Sequence, residues 1–201
     1  MKNKILLIFG TRPEAIKMAP LCKVLVAKKD VFDTRICVTG QHREMLDQVL
    51  DFFSIKPDYD LNLMKSNQSL NELSSRLLLA LDPVLKDFNP DLVLVHGDTT
   101  TSSMGALAAF HRGIKVGHVE AGLRTFDTSA PFPEEMNRQL TGKIASFHFA
   151  PTQKPFDNLV VLEKVNESNV FITGNTVIDA LIWGVEHINT DRVDIKKIKK
   201  F

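Results

Sequence analysis

Short apolar runs alternate with longer amphipathic segments along this 201-residue chain. Unbroken apolar runs are typical of strands that are buried on both faces of a parallel sheet. Their alternation with helical segments is typical of βαβ units. The sequence therefore predicts an α/β fold with a parallel sheet, and a last helix that begins at about Thr176. The predicted strands are Lys4–Phe9, Thr34–Thr39, Leu92–Val95, Val116–Val119, Phe147–Ala150 and Val170–Thr173.

A long helix is predicted after Ser54–Gln68, a stretch that looks irregular because its Pro and Asp residues favour turns. Ser69-Leu70-Asn71-Glu72 has the capping-box pattern and marks the start of this helix. The apolar residues of the helix continue to Phe88 and cover an unusually broad face. A deeply packed core helix explains such a face, and so does contact with a second copy of the chain. A homodimer is therefore one of the predictions.

The composition points away from nucleic acid and membrane partners. The formal net charge is +1, so the chain has no overall field that attracts polyanions. No apolar stretch approaches the length that crosses a membrane, and Ile5–Phe9 is too short for the apolar core of a signal peptide. Cys22 and Cys37 lack any motif spacing and are expected to be buried, reduced thiols. Reduced thiols are typical of a cytoplasmic protein.

Acidic side chains stand where predicted strands end. Asp98 follows one apolar run, Glu120 follows the next, and Glu134 opens the helix after that. Because the carboxyl ends of parallel strands meet at one edge of a sheet, these carboxylates are expected to converge there and to transfer protons. Each also has a structural explanation. Asp98 would suit the cap of a helix that starts near Thr99, and Glu134 would suit pairing with Arg138 four residues later.

The turn from Gly10 to Lys17 carries two cations, Arg12 and Lys17, at the start of a helix. The N-terminus of a helix attracts phosphate through free N–H groups, and these cations would strengthen that attraction. The turn matches neither a Walker loop nor a dinucleotide fingerprint. Solvated surface cations explain the residues equally well.

Histidines precede two of the carboxylates by two positions. His96 and Asp98 form one such pair, His118 and Glu120 form the other, and His148 lies on a further strand. Side chains two apart on a strand point the same way, so the set is compatible with a metal site and a metal-dependent hydrolase. Histidines that hydrogen-bond the surrounding loops are the alternative.

Longer stretches carry a family resemblance. They are FGTRPEAIKMAPL (9–21), TGQHREMLDQVL (39–50), PDYDLNLM (57–64), VHGDTTT (95–101), GHVEAGLRT (117–125), PFPEEMNR (131–138) and ITGNTVIDAL (172–181). In these pieces and in their order the chain resembles the amino-terminal half of the bacterial UDP-N-acetylglucosamine 2-epimerases of the non-hydrolysing kind.

The resemblance implies a Rossmann-like doubly wound parallel sheet that forms one half of a glycosyltransferase-B-like two-domain enzyme. Residues 1–188 would be the amino-terminal domain and residues 189–201 a linker or cut end, with the carboxy-terminal nucleotide-binding domain absent. The implied reaction interconverts UDP-GlcNAc and UDP-ManNAc by elimination and re-addition of UDP, without metal or other cofactor. The predicted protein is a cytoplasmic homodimer of cell-surface polysaccharide biosynthesis, and the chain alone is expected to be inactive.

Site residues follow from the matching motifs. Asp98, Glu120 and Glu134 match the acid/base carboxylates of the family. Arg12, Lys17 and Arg138 match positions near the nucleotide-sugar diphosphate. A second, activating UDP-GlcNAc is bound in some members at the stretch that matches Gln41, His42 and Arg43. The loop Phe126–Ala130 departs from the family's usual aromatic-Ser-Pro run.

Two further functions remain compatible with the sequence. One is a non-catalytic fragment that dimerises or binds a nucleotide-sugar. The other is a hydrolysing epimerase that releases ManNAc.

Overall fold

The computed structural model describes residues 2–40, 43–63, 65 and 67–189. Seven parallel strands form one sheet in the order β3-β2-β1-β4-β5-β6-β7. The strands are β1 (Asn3–Phe9), β2 (Phe32–Val38), β3 (Tyr59–Asp60), β4 (Leu92–His96), β5 (Lys115–Val119), β6 (Phe147–Ala150) and β7 (Val170–Ile172). The α-helices are α1 (Arg12–Ala27), α2 (Arg43–Phe52), α3 (Leu70–Phe88), α4 (Thr100–His111), α5 (Glu134–Ile144), α6 (Gln153–Asp157) and α7 (Thr176–Asn189). A π-helical turn at Asn158–Leu162 and a 3₁₀ turn at Glu167–Asn169 lie between α6 and β7. The predicted Rossmann-like doubly wound α/β fold is confirmed.

The predicted strands are all present, with their ends shifted by at most two residues. The stretch predicted to be irregular contains one strand that the sequence analysis missed. Tyr59 pairs with Cys37, and Asp60 pairs with Val38, at the edge of the sheet. A two-residue strand is too short to show any periodicity, and β3 is defined by its pairing with β2.

Alternate residues of β1 enter opposite layers of the core, as the two-residue repeat of a strand requires. Leu7 and Phe9 belong to the layer that contains α1, together with the fully buried Met18 of that helix. Leu6 and Ile8 belong to the layer formed with α3 and α4. All are essentially inaccessible to solvent. This double covering explains why the run is apolar without interruption.

The predicted capping box of α3 is confirmed. The Ser69 hydroxyl accepts the Glu72 N–H, and the Glu72 carboxylate accepts the Ser69 N–H at 2.7 Å. Most of the broad apolar face packs inside the chain itself. Leu70 and Leu79 are the exceptions, since 42% and 75% of their surfaces are exposed. The buried members are Leu73, Leu77, Leu81, Val84, Leu85 and Phe88.

Both cysteines are free and buried, as predicted. Burial raises the pKa of the Cys22 and Cys37 thiols to about 12. Within the described part of the chain, no helix is long and apolar enough to cross a membrane.

Candidate active site

The strand order reverses direction between β1 and β4, and the loops after these two strands diverge from that point. Such a switch point forms a crevice at the carboxyl ends of the strands. The chain passes tightly here: a Cβ on Gly10 would lie 2.0 Å from Thr39 Oγ1 and 2.8 Å from Thr101 Oγ1. These two hydroxyls are 3.1 Å apart and hydrogen-bonded. Only glycine fits between them.

Glu14, which the sequence analysis did not single out, joins the two loops. Its Oε2 accepts the backbone N–H groups of Gly10 at 3.0 Å and Thr11 at 2.8 Å. Its Oε1 accepts the hydroxyl of Thr99, the N-cap residue of α4, at 2.7 Å. Burial raises the pKa of Glu14 although its hydrogen bonds act in the opposite direction. The Thr11-x-x-Glu14 capping box was the available signal.

This arrangement changes the interpretation of the Gly10–Lys17 turn. The backbone N–H groups of Gly10 and Thr11 at the start of α1 already bind the Glu14 carboxylate. An anion at this edge would therefore depend on the side chains of Arg12 and Lys17. Arg12 is exposed and makes no hydrogen bond or ion pair with any described residue.

Glu120 directly follows β5, and its carboxylate lies between a lysine and a histidine. Its Oε1 is 2.5 Å from Lys17 Nζ and 3.4 Å from Asn175 Nδ2, while Oε2 is 3.7 Å from His96 Nε2. The backbone of Glu120 has φ +62°, a left-handed conformation that costs a residue with a side chain roughly 1–3 kcal/mol. Strain of this kind is typical of functional positions.

Asp98 does not cap α4, because Thr99 occupies that position and accepts the Ser102 N–H at 3.0 Å. Asp98 instead binds Arg138 of α5. Its Oδ2 accepts Nε at 3.0 Å and Nη2 at 2.8 Å. Burial lowers the pKa of Arg138, but the bonds to Asp98 and Glu135 outweigh that effect and raise it above its usual range.

Glu134, the first residue of α5, has no hydrogen-bond or ion-pair partner among residues 2–40, 43–63, 65 and 67–189. The alternative pairing of Glu134 with Arg138 is therefore wrong for this structure. Arg138 Nη1 binds Glu135 at 2.9 Å instead. Glu135 is fully buried and was missed by the sequence analysis, although its spacing of three residues from Arg138 could have indicated the pair.

The three histidines of β4, β5 and β6 are buried. Burial lowers the pKa of His96 and His118 to about 3 and that of His148 to about 4, so all are neutral at physiological pH. His118 Nε2 donates to the Gly97 carbonyl at 2.7 Å and so supports the turn that carries Asp98. In the described part of the chain, no group of three His, Cys, Asp or Glu side chains is placed to hold a metal ion.

The predicted activator residues cannot be placed. Gln41 and His42 lie outside the described residues, and so does the side chain of Arg43, whose backbone begins α2.

The site thus combines two carboxylate–cation pairs at neighbouring strand ends with one carboxylate and one cation that have no described partner. The pairs are Lys17–Glu120 and Arg138–Asp98, and the other two residues are Glu134 and Arg12. Carboxylates positioned in this way can move protons, and the cations can hold an anionic ligand.

Comparison with known proteins gives one consistent family. The family model described as UDP-N-acetylglucosamine 2-epimerase matches residues 25–200. The UDP-N-acetylglucosamine 2-epimerase of Escherichia coli K12 is 61% identical over 180 residues, which are 90% of this chain and 47% of that protein. The chain spans about half the length of the curated relatives it matches.

Solved structures agree with this result. The UDP-GlcNAc 2-epimerase from Neisseria meningitidis, bound to UDP-GlcNAc, superimposes with a TM-score of 0.91 at 53% identity. That match covers 96% of this chain and 51% of the Neisseria chain. A lipopolysaccharide outer-core galactosyltransferase shares 12% identity with a TM-score of 0.62, over 86% of this chain and 45% of its own. This last likeness shows that a glycosyltransferase has the same fold.

Proposed function

The chain belongs to the UDP-N-acetylglucosamine 2-epimerase family, and we propose that the full-length protein interconverts UDP-GlcNAc and UDP-ManNAc. The observation that carries the proposal is the pairing of Lys17 with Glu120 and of Arg138 with Asp98 at adjacent strand ends. Proton-transferring carboxylates and phosphate-binding cations are both needed for this reaction. The binding of UDP-GlcNAc by the Neisseria relative supports the choice of substrate.

The reaction proposed is an elimination followed by an addition. A carboxylate removes the proton from C2 of the sugar, and the electrons of that C–H bond form a C1–C2 double bond. The C1–O bond breaks at the same time, and UDP leaves with its electron pair. A proton then adds to the opposite face of C2, and a UDP oxygen bonds again to C1. General acid–base groups and stabilisation of the leaving diphosphate lower both barriers.

Residue roles follow from the geometry together with the family resemblance. Asp98, Glu120 and Glu134 are proposed as the acid/base carboxylates, because they lie at or beside the strand-end crevice. Arg12 and Lys17 are proposed to hold the diphosphate. Arg12 is suited to this by its exposure and by its lack of a described partner. Arg138 is proposed to act near the same ligand while it remains bound to Asp98.

The domain organisation is also a proposal. Residues 1–188 would form the amino-terminal half of a glycosyltransferase-B-like two-domain enzyme, and residues 189–201 would lead to the other half. The active site would then lie in the cleft between the halves. The coverage of about half of each relative supports this organisation.

A homodimer and a cytoplasmic location complete the proposal. The proposed contact with a second copy is assigned to the outer side of α3, where Leu79 is a large apolar side chain with 75% of its surface exposed. The buried free thiols Cys22 and Cys37 fit a reducing compartment.

The function is tested by incubating the full-length protein with UDP-GlcNAc in deuterated water and following the sugar by NMR. UDP-ManNAc with deuterium at C2 is the expected product. Free ManNAc would indicate the hydrolysing reaction. A protein that binds UDP-GlcNAc yet produces neither compound and exchanges no C2 proton contradicts the proposal.

A further inference from the structure

Glu135, on the first turn of α5, is a fully buried carboxylate that the proposed reaction does not use. Its Oε1 accepts the Phe126 N–H at 3.1 Å and Gln139 Nε2 at 2.9 Å. Its Oε2 accepts the Thr125 N–H at 3.1 Å and Arg138 Nη1 at 2.9 Å. Burial raises the pKa of Glu135, but these four donors outweigh it and hold the pKa below its usual range. The group is therefore a fixed, ionised anchor.

This anchor connects two parts of the site. Thr125 and Phe126 belong to the loop between β5 and α5, which follows Glu120 along the chain. Arg138 also donates from Nε and Nη2 to Asp98 Oδ2. A guanidinium is planar and rigid, so a bond on one edge determines where its other edge points. A displacement of the Glu135 carboxylate would thus move Arg138 and, with it, the carboxylate of Asp98.

Asp98 Oδ2 accepts both of these hydrogen bonds from Arg138, whereas Oδ1 has no hydrogen-bond partner in the described part of the chain. The two bonds from Arg138 consequently determine the orientation of the free oxygen, Oδ1, of the Asp98 carboxylate. We propose that Glu135 is a positioning residue, which holds Arg138 so that the Asp98 carboxylate keeps one orientation for proton transfer. This inference rests on the proposed function for its kinetic consequences.

A nearby ion pair provides a matched control. Arg124 lies in the same loop, and its side chain is completely buried. It binds Glu163 through Nε and, at 3.2 Å, through Nη2. Glu163 and Glu135 therefore both tie the loop down through a mostly buried carboxylate. Glu163 makes no hydrogen bond or ion pair with Arg138 or Asp98 in the described part of the chain. Glu135→Gln and Glu163→Gln thus disturb the same loop, but only the first acts directly on Arg138.

The experiment measures kcat and KM of the full-length protein for UDP-GlcNAc, with the unfolding midpoint of each variant as a check on stability. A misplacement of about 1 Å at a reacting group costs on the order of a hundredfold in rate. Glu135→Gln is expected to lower kcat by about 10- to 100-fold with KM within about threefold, because ground-state binding is retained. Glu163→Gln is expected to stay within about threefold of wild type in kcat and KM. Equal losses in both variants, or a loss confined to KM, overturn the proposal.

A second measurement does not require turnover. In protein labelled with ¹⁵N-arginine, the Nε–H signal of Arg138 is assigned by its absence in Arg138→Lys. It is expected to be protected from exchange in wild type and Glu163→Gln and to lose that protection in Glu135→Gln. Unchanged protection in Glu135→Gln overturns the inference even if its kcat falls. A wild-type protein without epimerase activity but with this pattern refutes the proposed function alone.

Glu135→Asp is the reserve variant if Glu135→Gln does not fold. It keeps the charge and withdraws the carboxylate from Arg138 by one methylene. The same selective loss of kcat and of Arg138 protection is expected, and wild-type values for both overturn the proposal.

Discussion

Arg138 donates two hydrogen bonds, from Nε at 3.0 Å and Nη2 at 2.8 Å, to a single oxygen of Asp98, which lies 40 residues earlier in the chain. The contact joins the end of β4 to the first turns of α5. It also leaves the cation partly neutralised by a proposed catalytic carboxylate. Arg12, in contrast, has no described partner and is the more available cation for a diphosphate.

Replacement of each proposed acid/base carboxylate is expected to lower turnover more than it weakens UDP binding. General acid–base groups contribute roughly a hundred- to ten-thousandfold. Asp98→Asn, Glu120→Gln and Glu134→Gln should each show losses of this order in the full-length protein. Solvent deuterium incorporation at C2 is the readout, with UDP affinity measured by calorimetry. Exchange near the wild-type rate in all three variants contradicts the assignment.

Residues 1–201 alone are expected to fold but not to epimerise UDP-GlcNAc. The chain spans about half of its relatives, so the elimination would lack the second wall that excludes water from the reactive intermediate. The Kd for UDP is expected to be in the millimolar range, which corresponds to a binding free energy of about 4 kcal/mol. NMR with and without the missing half added in trans tests this. Turnover by residues 1–201 alone shows that the site is complete within them.

Charge placed at Leu79 is expected to dissociate the proposed homodimer. This side chain is 75% exposed on α3, and a buried unpaired charge would oppose its contact with a second copy. Leu79→Glu should shift the light-scattering mass at micromolar concentration from dimer to monomer. Val26→Glu, a charge at an exposed apolar side chain on α1, is the control. A wild-type monomer, or a dimer that is indifferent to Leu79→Glu, refutes this contact.

Stability is expected to fall between pH 6.5 and pH 5 because of the buried histidines. The pKa of His148 is lowered from 6.5 to about 4 by burial, so below pH 6.5 the unfolded chain binds a proton that the folded chain does not. The free energy of unfolding therefore loses about 1.4 kcal/mol per pH unit for such a histidine. The contribution is fully present above pH 6.5.

His148→Gln tests this effect, because it removes the titrating group. Glu14 contributes with the opposite sign, because a carboxyl pKa that is raised in the folded state stabilises the fold at low pH. The informative quantity is therefore the difference between wild type and variant in how the free energy of unfolding changes with pH. Urea unfolding at pH 5.0 and 7.5 should show a smaller pH dependence in His148→Gln. Equal dependence in both proteins contradicts the burial of a neutral histidine.

Gly10→Ala is expected to destabilise the protein by about 1–3 kcal/mol, the usual cost of overpacking. The added methyl would lie 2.0 Å from Thr39 Oγ1 and would break its hydrogen bond to Thr101. Gly184→Ala is the control, because its methyl would come no nearer than 4.0 Å to Phe52 and alanine favours a helix. Urea unfolding should separate the two variants. Similar midpoints argue against a close passage at Gly10.

The sequence by itself determined the architecture and the region of the site. Apolar runs such as Lys4–Phe9 are continuous because β1 is buried on both faces. A strand of this kind has apolar residues at consecutive positions, and that pattern can be recognised in the sequence. Asp98 and Glu120 could be assigned to one crevice because parallel strands bring their carboxyl ends to one edge. The capping box at Ser69 was equally readable, since helix caps are local.

Only the tertiary structure decided which charges meet. Arg138 lies within reach of Glu134 by helical spacing, yet it binds Asp98 and Glu135, because the packing of α5 beside α4 carries it to the end of β4. Lys17 reaches Glu120 across 103 residues, and β3 exists only through its pairing with β2. These contacts depend on the distances and angles between packed elements. No pattern of neighbouring residues encodes them.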